Sequence, residues 1–67
     1  MDRHRRHDKT REILESLSDT YRAALLWRYW DHRSTAEMAE LTGKTPKAME
    51  RILARAREQF RRRWNDD

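Results

Sequence analysis

The 67-residue chain contains one glycine and one proline, and both fall in a single tetrapeptide, Gly43-Lys44-Thr45-Pro46. Every other stretch lacks the two residues that most readily interrupt a helix. The tetrapeptide reads as a helix stop followed by a helix start. Glycine suits the left-handed position that closes a helix, Thr45 can cap the next one, and proline is favoured at a first helical position. One helix is therefore predicted to end near Thr42 and another to begin at Pro46.

The other boundaries are marked in the same way. Ser34-Thr35-Ala36-Glu37 has the spacing of a capping box and predicts a short helix over residues 35–42. Upstream, Tyr21, Ala24, Leu25, Leu26, Tyr29 and Trp30 recur at helical spacing, with Ser18 as the cap and residues 31–34 as the end. The first segment, around 5–17, offers Ile13, Leu14 and Leu17 as its apolar stripe. No strand signal and no repeat is present. The expectation is an all-α, four-helix domain over residues 13–65, preceded by a basic, partly frayed segment over residues 1–12.

Composition narrows the function. A chain of this length buries only roughly 60% of its unfolded surface, and its three Trp, two Tyr and one Phe must supply much of the core. There is no Cys, which excludes disulfides and thiolate metal sites. The longest apolar run, residues 23–27, is far too short to span a bilayer, and the N-terminus has no apolar segment of the secretory kind. A cytoplasmic protein without a membrane partner is expected. No Cys nucleophile, glycine-rich phosphate loop or paired carboxylates suggest catalysis, so neither an enzyme nor a cofactor is expected. His4 and His7 stand three residues apart beside Asp8, a spacing a metal could use. A basic terminal segment with little to bury is a poor frame for one, and no metal site is expected.

The charge is uneven. The net charge is +4, yet residues 51–63 carry six arginines against one acid, Glu58. A second basic cluster, Arg3, Arg5, Arg6, Lys9 and Arg11, stands near the start. On a helical wheel of about 100° per residue, Met49, Leu53, Ala56, Phe60 and Trp64 share one sector of the last helix, with Ile52 at its edge. Lys47, Arg51, Arg55 and Arg62 fall on the opposite side. Oil on one face and cations on the other suggest a bundle helix that presents its outer surface to a polyanion.

A short helix, a glycine turn and a longer helix opened by Thr-Pro form a helix-turn-helix pattern, here over residues 35–63. Close approach of the two helices requires a small residue at Ala39, and apolar residues such as Met38, Leu41, Met49 and Leu53 are expected to lock their crossing. The second helix would then enter a major groove with its leading turns. Glu50 is an acid where such a helix usually carries a base. It lies on the flank shared with Arg57 and Arg61, where it could pair with Arg57 or accept a hydrogen bond from the amino group of cytosine.

From Leu17 to Trp64 the chain resembles region 4 of bacterial RNA polymerase sigma factors, in particular the extracytoplasmic-function group. The stretches that carry the resemblance are LSDTYRAALLWRYWD, STAEMAELTGKTPKAMERILARARE and QFRRRW. Within them, Arg28-Tyr29, Glu37-Met38-Ala39, Gly43, Thr45 and Arg55-Ala56-Arg57 occupy the family's characteristic places. The resemblance implies double-stranded DNA as a partner, with the second helix recognising the promoter −35 element. It also implies contact with RNA polymerase core through the β flap, and such regions commonly dock anti-sigma factors. Carried over by position, with the turn and the outer face added, the DNA-binding set is Lys44, Thr45, Lys47, Ala48, Glu50, Arg51, Ala54, Arg55 and Arg62. Arg33 and Arg57 would be supporting cations. The chain departs from the family at Glu50, usually Lys or Arg, at Arg51, usually small, and at Ala54, often bulky or His. Thr42 and Lys44 stand where the family prefers apolar residues.

A second class of function rests on the aromatic helix. Trp27 and Trp30 follow helical spacing and are expected to enter the core. The run Leu25-Leu26-Trp27 goes nearly all round the helix, however, and only one face can be buried. Leu26, Trp27 and Trp30 are therefore candidates for a protein-docking surface. Trp64 is expected to clamp the first helix.

Overall fold

A computed structural model describes residues 2–66, with side chains described from Lys9 onward. The order of elements is α1 (Asp2–Ser16), α2 (Asp19–Leu25), a π-helical turn (Leu26–Trp30), α3 (Thr35–Thr42) and α4 (Pro46–Asn65). The described residues contain no strand. The architecture is all-α, and the expected helix-turn-helix is formed by α3 and α4.

The boundaries follow from local hydrogen bonding. The Ser18 hydroxyl accepts from the Tyr21 N–H at 3.3 Å and opens α2. At the start of α3 the Ser34 hydroxyl accepts from the Glu37 N–H, and the Ser34 N–H donates to the Glu37 carboxylate, both at 3.1 Å. Two orphan donors are thereby satisfied reciprocally. Gly43 closes α3 in the left-handed region (φ 71°), and the Lys44 N–H reaches back to the Ala39 carbonyl at 3.0 Å. Thr45 then caps α4 by accepting from the Ala48 N–H at 3.1 Å, with Pro46 in the first turn.

The predicted helix over 21–30 is not uniform. After Leu25 it widens, so that the Asp31 N–H bonds the Leu26 carbonyl five residues back at 3.1 Å. It stops at His32, whose φ of 56° is a left-handed conformation without glycine, at a cost of roughly 1–2 kcal/mol. The first helix begins at Asp2, so the basic segment expected to fray is helical in its backbone.

The core consists of Ile13, Leu17, Ala24, Leu25, Met38, Ala39, Met49, Leu53 and Ala56, and no polar side chain among the described residues is buried with them. Three of the nine are alanines, which let helices approach closely, while Met38 and Met49 are the largest side chains buried to 2% exposure or less. α4 runs through the assembly and packs against α2, α3 and α1 in decreasing order of contact. No described helix is long and apolar enough to cross a membrane.

Two expectations about packing are corrected. Leu41 was expected to help lock the α3–α4 crossing, yet it is 57% exposed. It sits on the last turn of α3, about 100° around from the face that Met38, Ala39 and half-buried Thr42 turn inward. Thr42 takes a place beside the crossing, its hydroxyl donating to the Met38 carbonyl at 2.8 Å. Trp30 was expected in the core and is 73% exposed, because it lies opposite Ala24 and Leu25 on its helix. Trp27 packs half-buried against the core.

These placements make opposite forecasts for two leucine-sized side chains on one helix. Met38→Ala should destabilise the domain by about 2–5 kcal/mol, enough to unfold much of a protein this small. Leu41→Ala should change stability by no more than about 0.5 kcal/mol. Thermal melts followed by far-UV circular dichroism would show the contrast.

Candidate nucleic-acid interface

α4 is amphipathic along its whole length because its apolar residues recur at three and four. Met49, Leu53 and Ala56 are buried, and Ile52, Phe60 and Trp64 are half-buried along the same side. This inner face directs Lys47, Arg51, Arg55 and Arg62 to solvent, where all four are exposed. None of these four side chains makes a hydrogen bond or ion pair among the described residues. The ion pair drawn among the described residues joins Arg22 to Asp19 on α2.

The other cations of α4 are used differently. The Arg57 guanidinium donates to the Tyr29 hydroxyl at 3.3 Å, and Glu50 makes no ion pair with it. Pairing of Glu50 with Arg57 is therefore not what the structure contains. Arg63 donates to the Ser16 carbonyl at 2.8 Å and to the Ser16 hydroxyl at 2.5 Å, tying the end of α4 to the end of α1. The Trp64 ring stacks on Phe60 with centroids 6.0 Å apart. Lys9 of α1 lies 4.6 Å from the centre of that ring and donates to the Trp64 carbonyl at 2.6 Å, so the expected clamp on α1 is present. The sequence pointed to the clamp but not to its partner Lys9, nor to the Arg63–Ser16 tether, since these join residues dozens of positions apart.

The site residues expected from sequence fall into a leading and a trailing group. Lys44, Thr45, Lys47, Glu50, Arg51, Ala54 and Arg55 are exposed around the turn and the first turns of α4, and Ala48 is half-buried beside them. Arg62 lies about two turns beyond Arg55 on the same side. Of the two supporting cations, Arg57 is engaged by Tyr29, and Arg33 is half-buried with its Nε enclosed and unpartnered. Glu58 lies on the cationic line between Arg51, Arg55 and Arg62, an acid in the middle of the basic face. His4, His7 and Asp8 lie outside the described side chains, and the described residues hold no group of three or more potential metal ligands.

The helix that supports α4 is held at its start by a charged cap. Glu37 has its carboxyl below the ordinary value, first through the Ser34 N–H bond, then through the Ser34 hydroxyl, with the Arg33 charge adding a lesser effect.

A family model described as sigma-70, region 4 matches residues 7–60. The chain belongs to this family. The match spans the last ten residues of α1, all of α2 and α3, and the first three-quarters of α4, leaving the Arg-rich end outside it. No curated protein and no solved structure matches the chain. The family is one of transcription factors, with no catalytic role.

Because the folded pKa of Glu37 is depressed below 4.5, its contribution to stability is present above that value and is lost as pH falls through the folded pKa. Glu37→Gln should therefore melt at a lower temperature than the unsubstituted domain near neutral pH. The two should converge in strong acid. Melts recorded from neutral pH into the acid range would reveal an undiminished gap if the carboxylate has no such role.

Proposed function

We propose that this region 4 domain binds double-stranded DNA in transcription initiation, as the extracytoplasmic-function group does, reading the promoter −35 element with the leading half of α4. The observation that carries this reading is the row Lys47, Arg51, Arg55 and Arg62, exposed and unpaired along the face opposite Met49, Leu53 and Ala56. An unpaired cation row is available to phosphate oxygens without first breaking an internal bond. Lys47, Arg55 and Arg62 neutralise phosphates. Arg51 reads a base, since a guanidinium pairs bidentately with guanine in the major groove. Glu50, exposed and without an ion pair, accepts from the amino group of cytosine beside it. With Glu58 on the same face, it makes binding to arbitrary duplex weaker than the arginine count suggests.

A second reading is favoured by a separate observation. Leu26 is 37%, Tyr29 53% and Trp30 73% exposed, an apolar surface on the π-helical turn itself. It supports docking to protein, either the β flap of RNA polymerase core or an anti-sigma factor. The two readings use different faces and are compatible.

Arg55→Ala should weaken binding to all duplexes about equally and lower the slope of log affinity against log salt by about one. Unchanged binding at low salt would remove the cation row from the interface. Trp30→Ala should leave DNA binding intact and weaken capture of the polymerase β subunit by roughly tenfold or more in a pull-down titration. If capture is unaffected, the aromatic surface is not the docking face.

A further inference from the structure

Beside the leading turns of α4 lies a shallow groove whose far wall belongs to α2. Tyr21 forms that wall, and Lys44, Thr45, Ala48, Arg51 and Arg55 form the floor and the near wall. No acidic residue lines it. The Tyr21 ring packs half-buried on the core. Its hydroxyl makes no hydrogen bond among the described residues. Tyr21 on its anchored ring therefore lines the groove together with three cations, Lys44, Arg51 and Arg55, none of which is paired among the described residues.

From this juxtaposition we propose that the groove seats one phosphate of the DNA backbone, with the Tyr21 hydroxyl as a neutral donor to it. The inference rests on the DNA-binding reading above and extends the footprint from α4 onto α2. Charge selects the occupant: a groove with three unpaired cations and no carboxylate favours an anion. Tyrosine is suited to the task because its ring is already immobilised by packing, so little rotamer freedom is lost when the hydroxyl bonds. The seat also makes the two flanks of α4 unequal. The flank toward α2 carries Arg55, Ala48 and the groove, while the other carries Glu50 and an Arg57 already committed to Tyr29. One DNA strand is thus held by its backbone on the α2 side, and the opposite side is left to base contacts.

Tyr21→Phe tests this because it removes the hydroxyl and keeps the ring. Anisotropy titrations of a labelled random-sequence duplex over a salt series would compare it with the unsubstituted domain, Lys44→Ala and Arg55→Ala, each checked for folding by circular dichroism. The expected result is a roughly three- to tenfold loss for Tyr21→Phe, as for one lost hydrogen bond. Its salt slope should be unchanged, because no charge is removed. Lys44→Ala, at an exposed position outside the core, should lower the slope by about one and decides the matter if Tyr21→Phe proves unstable. If Tyr21→Phe binds like the unsubstituted domain, or Lys44→Ala keeps the full slope, while Arg55→Ala is weakened, the groove is no phosphate seat and the DNA-binding reading survives. If the unsubstituted domain does not bind duplex at low salt, that reading and the seat both fall.

Discussion

Burial of Met49, Leu53 and Ala56 in one cluster with Ala24, Leu25, Met38 and Ala39 holds α4 in place, and the properties of the outer surface follow from it. No polar side chain among the described residues joins this cluster, so the orientation of α4 depends on shape and apolar area rather than on directed bonds. Alanines at the contacts bring the helix axes close, and the two methionines fill what remains. Once the inner face is fixed, a rod of 20 residues has no freedom in what it shows to solvent. Its cations must line up on the far side.

That alignment divides the arginines of α4 into two kinds. Arg57 and Arg63 act inside the molecule, one on Tyr29 and one on the end of α1. The carbonyls at a helix C-terminus lack intrahelical partners, and Arg63 satisfies the one at Ser16. Lys47, Arg51, Arg55 and Arg62 have no such duty. A count of charges alone overstates what is available to a polyanion, and Glu50 and Glu58 reduce it further. The proposed interface is better described by which cations are left unpaired among the described residues than by how many there are.

The two candidate surfaces have different physical origins. The cationic one is the unavoidable back of a buried face. The aromatic one arises because a helix apolar nearly all round cannot bury every side in a molecule this small, and the widened turn at Leu26–Trp30 leaves the surplus outside. A domain of 67 residues thereby presents an apolar patch and a charged row without either occluding the other.

The amino-acid sequence by itself determined where the helices start and stop, because caps are local. Ser18, Ser34 with Glu37, Gly43, Thr45 and Pro46 each act within four residues, and all are in the places their chemistry required. It also determined the division of α4 into inner and outer faces, which is fixed by helical periodicity. Tertiary structure alone decided the fate of Leu41 and Trp30, because periodicity says which residues share a face but not which face meets a neighbour. It alone brought Arg63 to Ser16, Lys9 to Trp64 and Tyr21 to the turn before α4, since such pairings depend on how separate helices pack in space.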